Sequence, residues 1–174
     1  MAGRGGVEKN NLGKLMWDGG INLNKTIGIG QGMSFAYQLR AKVGPKVNVV
    51  GLVLCARGGS LIGQWRKNPC NPNATSYQNF IERIKALDKN GIVVHSLFWF
   101  QGESDATMND TAIRYKYNLK KFFANVRNDI KPRFLPIIVV KIAIYDFIMK
   151  HDTNNLPTVS AAEDAFSKEL PNVL

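Results

Sequence analysis

The chain reads as an α/β protein with a doubly wound, parallel sheet, on three observations. Continuous apolar runs rich in β-branched residues fall at 47–56, 92–100 and 135–144. Helical periodicity fills the intervals between them, and strand alternating with helix is the pattern of a parallel sheet covered on both faces. No internal repeat, low-complexity tract or linker interrupts the 174 residues, a length that suits one domain with a sizeable core.

In chain order, a glycine-rich turn leads into a helix over 33–43 with Ala36, Leu39 and Val43 on one face. The run 47–56 (VNVVGLVLCA) follows as a buried strand, with Cys55 a core residue near its end. A helix over 76–89 aligns Tyr77, Phe80, Ile81, Ile84 and Leu87, with Thr75 or Ser76 as N-cap. The second buried strand is 92–100 (IVVHSLFWF), which makes His95 a core residue. Residues 111–130 form a helix with Leu119, Phe122, Phe123, Val126 and Ile130 on its apolar face, stopped by Pro132. The third strand is 135–144, and the last helix, 158–170, aligns Val159, Ala162, Phe166 and Leu170. The chain opens on a glycine-rich loop where such a fold has a strand, and only four residues follow its last helix. Both ends are therefore expected to be cut.

Composition excludes some function classes. Apolar residues make up 45% and charged residues 21%, as in globular domains, and no apolar run approaches the roughly 18–20 residues that span a bilayer. A net charge of +10 invites nucleic acid, but the basic residues are scattered, their densest cluster being Lys116, Lys120 and Lys121, so a solvated basic surface accounts for them. No Cys/His/Asp cluster has metal-ligand spacing, and no cofactor is called for. The spacing of Cys55 and Cys70 does not demand a disulfide. Gly28-Ile29-Gly30-Gln31-Gly32 precedes a helix but lacks the Lys-Ser/Thr pair of a phosphate loop.

Two segments carry chemistry. Gln101-Gly102-Glu103-Ser104-Asp105 stands at the carboxyl end of the second strand, where α/β sheets present functional groups. An amide there can donate to a developing oxyanion, with the acids orienting neighbours; equally, polar residues simply end a strand. Gly58-Gly59-Ser60 follows the first strand, and a Gly58 or Gly59 amide could face a bound oxygen; a tight turn explains the glycines as well. Ser60 does not fit the Gly-x-Ser-x-Gly elbow, since Gly63 comes one residue late. Neither His95 nor His151 has evident geometry for a serine triad.

These segments together resemble the plant-type, sialate O-acetylesterase-like carbohydrate esterases of the SGNH hydrolases. The likeness lies in Met1-Ala2-Gly3-Arg4-Gly5-Gly6-Val7, Gly32-Met33-Ser34-Phe35-Ala36, Gly51-Leu52-Val53 through Gly59-Ser60 with Trp65, and above all Phe98-Trp99-Phe100-Gln101-Gly102-Glu103-Ser104-Asp105. The resemblance implies a three-layer α/β/α, flavodoxin-like fold lacking its first strand and carboxyl-terminal segment. It implies serine-type hydrolysis of acetyl esters on carbohydrate, with Gly58 or Gly59 and Gln101 at the oxyanion hole. Arg4 and Glu103 would stand beside it as an ion pair, Ser104 and Asp105 would support it, and Ser60 and Trp65 would face substrate. The family's nucleophile would precede Met1 and its Asp-x-x-His would follow Val173, so no catalytic residue is expected in this chain and it is expected to be inactive. The alternative is a carbohydrate-binding or regulatory pseudoenzyme with Trp65 and Trp99 as sugar platforms.

Overall fold

In the computed structural model the chain divides into two compact units, residues 1–58 and 59–174. The structure describes residues 31–44, 49–68, 75–130, 132–142 and 155–174. Arg4, Cys70, His151 and the glycine cluster 28–30 lie outside them.

In the first unit, helix α1 (Gln31–Val43) occupies the expected position. The described part of the expected first strand, 49–56, is in no β-ladder. Its burial alternates with period two: Val50, Leu52 and Leu54 are half-buried while Val49, Gly51 and Val53 are exposed. That is extended chain with one covered face, a correction to the strand buried on both faces. Cys55 is likewise half-buried, outside a closed core. Apolar composition sets the face a segment hides; ladder hydrogen bonds require a neighbour that composition does not supply.

The second unit is built of α2 (Ser76–Asp88), β1 (Leu97–Trp99), α3 (Asn109–Asp129), β2 (Ile137–Val139) and α4 (Leu156–Glu169). β1 and β2 pair in parallel with Leu97 opposite Ile137 and Trp99 opposite Val139. Val173 bridges in parallel to Ile137, secured by Ile137 N to Asn172 O and Leu174 N to Ile137 O, each 2.9 Å. Two successive strand–helix–strand crossings, through α3 and then α4, thus bring three short segments into one parallel arrangement, the α/β class expected.

The ladders are shorter than the apolar runs. Ile92, Val93, Phe98 and Phe100 are exposed, and His95 is exposed as well, not in the core. Partner backbone, not hydropathy, decides how much of a run joins a ladder.

Helical spacing was the stronger signal. The predicted faces Tyr77, Phe80, Ile81 and Ile84 of α2, Leu119, Phe122, Phe123 and Val126 of α3, and Val159, Ala162 and Phe166 of α4 are buried. Phe122 is the hub, its ring centroid 4.5 Å from that of Trp99, 6.0 Å from Trp65 and 5.8 Å from Phe123. Edge-on and tilted contacts of this kind contribute beyond the buried area. At the far end of α3, the Arg127 guanidinium donates to the carbonyls of Leu135 (3.2 Å), Pro171 (2.7 Å) and Asn172 (3.2 Å). It thereby ties the approaches to both β2 and the Val173 bridge to one helix.

Candidate active site

The carboxyl end of β1 runs from buried Trp99 through Gln101 and Gly102 into a 3₁₀ turn, Asp105–Thr107, and then α3. Gly102 has φ +146°, and a Cβ there would meet Ile142 Cδ1 at 2.7 Å, Val159 Cγ1 at 2.8 Å and Tyr115 Oη at 3.2 Å. The backbone must pass this close to three side chains, so position 102 requires glycine.

Around this passage the structure gathers Ser60, Gln101 and Asp105, all at most 8% exposed. Gln101 Nε2 donates to Ser60 O at 2.8 Å and to Asp105 Oδ2 at 2.7 Å. Asp105 Oδ2 also accepts from Ile62 N at 2.9 Å. Because Ser60 O and the carboxylate are acceptors, the amide orientation is fixed: NH₂ toward them, Oε1 away. Both amide protons are therefore committed, and Oε1 is buried without a partner among the described residues. For Gln101 to donate to an ester oxygen, one of these two bonds has to open.

Burial pushes the Asp105 carboxyl up from its ordinary value, against the hydrogen bonds from Gln101 and Ile62, which favour its charged form. Its main-chain carbonyl accepts from Thr111 Oγ1 at 2.7 Å, anchoring the turn to α3. Ser60 Oγ accepts from Trp65 Nε1 at 3.0 Å. Trp65, expected to face substrate, is only 5% exposed, its ring against Trp99 and Phe122. Trp99 is equally covered. Neither indole offers an open platform to a sugar.

Beneath the loop lies a second polar group that sequence reasoning missed. Tyr115 Oη donates to Gln101 O at 2.6 Å and lies 3.4 Å from Glu163 Oε1. Glu163 is 4% exposed, and its Oε2 accepts from Ile142 N at 3.4 Å. Burial drives its carboxyl up to about 7. The signal was present: Glu163 follows Val159 by four residues and precedes Phe166 by three, which puts a carboxylate in the apolar stripe of α4.

The remaining expected residues are placed as follows. Glu103 is half-buried and its Oε2 accepts from Gly102 N at 3.1 Å. Ser104 is half-buried and its carbonyl accepts from Thr107 Oγ1 at 2.8 Å, shaping the turn. Gly59 has φ +67°, a left-handed turn immediately before Ser60, and its neighbour Gly58 ends the first unit. An open cleft of about 350 Å³ adjoins the group, lined by Asp105, Arg66, Arg114 and Tyr117 among others. Among the described residues no cluster of His, Cys, Asp or Glu could hold a metal ion, and no helix is long and apolar enough to cross a membrane.

A parallel α/β sheet with a polar loop organised at the carboxyl end of a strand is the arrangement in which α/β proteins build their sites. The chain belongs to the family described as carbohydrate esterase, sialic acid-specific acetylesterase, which it matches over residues 15–174. It is 33% identical over 123 residues to a protein of Arabidopsis thaliana described as a "probable carbohydrate esterase", covering 71% of this chain and 45% of that protein. It is also similar to the X-ray structure of that Arabidopsis protein, with a TM-score of 0.73 and 30% identity, covering 88% of this chain and 58% of the other. The chain thus spans about half the length of the relatives it matches.

Proposed function

We propose that this chain supplies the oxyanion-side half of a serine-type carbohydrate acetylesterase site and does not turn over acetyl esters by itself. One observation carries the reading: Gln101 binds Ser60 O and Asp105 Oδ2 at once, so the loop after Gly59 and the loop after β1 are held as one rigid piece in a chain of carbohydrate esterase descent. Rigid placement of donors is what oxyanion stabilisation needs, since a preformed site reorganises little as charge develops. In this reading a Gly58 or Gly59 amide serves the developing oxygen on the frame that Gln101 holds, and Gln101 joins it as a donor once one of its two bonds opens. Glu103, Ser104 and Asp105 hold the loop in shape, and Ser60 contributes its backbone.

Among the described residues no attacking group is assembled. A serine mechanism needs a hydroxyl, an imidazole to take its proton and an acid to orient the imidazole. Ser60 Oγ is engaged by an indole N–H. His95 precedes β1, at the opposite end of the strand from Gln101, and is exposed. Donors alone recover only part of the rate.

The test is hydrolysis of an aryl acetate. The 174-residue chain should show no turnover above buffer. The same chain extended by a strand ending in Gly-Gln-Ser-Asn before Met1, and by an Asp-x-x-His segment after Leu174, should gain it. In the extended protein Gln101→Ala should cost about 10²-fold or more in kcat. A folded but inert extended protein, or brisk turnover by the chain alone, would sink the proposal.

A further inference from the structure

Gln101 is held at two points, by its side chain and by its main chain. The amide NH₂ is clamped to Ser60 O and Asp105 Oδ2, and the carbonyl accepts from Tyr115 Oη at 2.6 Å. Among the described residues no other donor reaches that carbonyl. The same hydroxyl packs on the next residue of the loop, since a Cβ at Gly102 would come within 3.2 Å of it. Tyr115 is fully buried. Burial first, and then the charge of Glu163, hold its hydroxyl well above the ordinary range, so it keeps its one proton. Trp99 Nε1 donates to the hydroxyl oxygen at 3.4 Å, and Glu163 Oε1 lies 3.4 Å from it as a second acceptor. One proton therefore faces both a backbone carbonyl and a carboxyl group.

The surroundings of Glu163 decide when the second acceptor is strong. Its Oε2 takes only the 3.4 Å contact from Ile142 N among the described residues. No described cation neutralises it: Lys141, just past β2, pairs with Asp164, and Lys116 of α3 pairs with Glu169. Glu103 from the loop and Asp164 from its own helix face it with like charge. Asp105, in the 3₁₀ turn packed on α4, is turned to Gln101 and Ile62. Burial, with smaller pushes from Glu103 and Asp164, brings the carboxyl up to about 7. Both charge states are therefore accessible near neutral pH.

We propose that Glu163 is a positioning residue for Gln101, acting through Tyr115: as a neutral acid it leaves the tyrosine proton on the Gln101 carbonyl, and as a carboxylate it draws that proton to itself. The acid's own proton goes to solvent, while the tyrosine keeps its proton and only turns it. A hydroxyl bond to a carboxylate is roughly twice as strong as one to a neutral acceptor and shortens to about 2.5–2.7 Å. Ionisation therefore closes the present 3.4 Å gap at the expense of the 2.6 Å bond. The loop then loses its main-chain tie at Gln101 and keeps only the side-chain clamp. The inference rests on the reading of Gln101 as an oxyanion-side group and names the residues that fix its backbone.

The experiment follows the Gln101 carbonyl carbon by NMR in the isotope-labelled 174-residue chain as the pH is raised. A carbonyl that loses a hydrogen bond moves upfield, so the parent should show one upfield step with its midpoint near pH 7. Glu163→Gln, whose NH₂ can donate to the tyrosine oxygen, should hold the signal at its low-pH position throughout. Tyr115→Phe, which has no proton to give, should hold it near the high-pH position throughout. No step in the parent overturns the inference. A step that persists in Glu163→Gln also overturns it and assigns the titration to Asp105 or Glu103. A step that persists in Tyr115→Phe overturns the route through the hydroxyl, and the first two proteins decide the matter if this variant does not fold. Aryl acetate hydrolysis by the extended protein tests the esterase reading separately, so either can fall while the other stands.

Discussion

Two buried carboxylates flank the same stretch of backbone, and they are served very differently. Asp105 is 1% exposed and takes two short hydrogen bonds on one oxygen, from Gln101 Nε2 at 2.7 Å and Ile62 N at 2.9 Å. Glu163, 4% exposed, has among the described residues only contacts at 3.4 Å, with Ile142 N and with Tyr115 Oη. Burial raises both carboxyls against hydrogen bonds that favour the charged form, short ones at Asp105 and long ones at Glu163, which reaches about 7. The Tyr115 hydroxyl has one proton, and the 2.6 Å bond to Gln101 O uses it. Glu163 Oε1 therefore meets the tyrosine oxygen most comfortably as a neutral acid. Asp105 is a clamp between loops, held by short hydrogen bonds; Glu163 is a group that the fold tolerates best uncharged.

The largest expected effect follows from the clamp. Asp105→Ala leaves Gln101 Nε2 and Ile62 N without their acceptor in a closed site and opens a small void. We expect about 3–4 kcal/mol of destabilisation by urea unfolding. Asp105→Asn keeps an acceptor oxygen and should cost about half as much. If both variants lose less than about 1 kcal/mol, Asp105 is not a clamp and the contrast with Glu163 collapses.

How far this contrast was visible in the sequence depends on what kind of information each residue carries. The helices were legible because Phe122, Phe123 and Val126, or Val159 and Phe166, repeat at helical spacing whatever they pack against. Asp105 was legible as part of Gln-Gly-Glu-Ser-Asp, yet its partner Ile62 N is 43 residues away, and no local pattern names that amide. Glu163 was readable in principle, as an acid inside an apolar stripe, but its meaning comes from Tyr115, 48 residues earlier. Trp65 is ambiguous in sequence for the opposite reason: an indole near a glycine turn suits a sugar face or a core equally, and its burial here comes from Phe122 and Trp99. Ladder extent at 92–100 was illegible because Phe98 and Phe100 are as apolar as Trp99 and still exposed.

Glu163 gives the next largest effect, and its sign is fixed by linkage. Its carboxyl is raised in the folded state from 4.5 to about 7, so the folded protein binds the proton more tightly than the unfolded chain. The stability from this group is fully present below pH 4.5 and is lost as pH rises through about 7. Glu163→Gln should remove that loss: the amide oxygen accepts from Ile142 N, and the NH₂ can donate to the tyrosine oxygen. Relative to the parent, the variant should gain about 2–3 kcal/mol between pH 4 and pH 8. Denaturant unfolding across that range checks it, and a difference that does not change with pH would show that Glu163 ionises freely in the fold.

The smallest effect comes from the next residue in the chain. Asp164 is an acid beside an acid, but its side chain is 57% exposed and pairs with Lys141 Nζ at 2.7 Å. Water already solvates both partners, so the pair gains little from contact and loses rotamer freedom in making it. Lys141→Ala should change stability by less than about 0.5 kcal/mol, and raising the salt should shrink even that. The distance here equals that of Gln101 to Asp105, so bond length alone predicts equal contributions, whereas solvent exclusion predicts a several-fold difference. If removing Lys141 costs as much as replacing Asp105 by Asn, proximity rather than burial sets the value of a carboxylate contact in this protein.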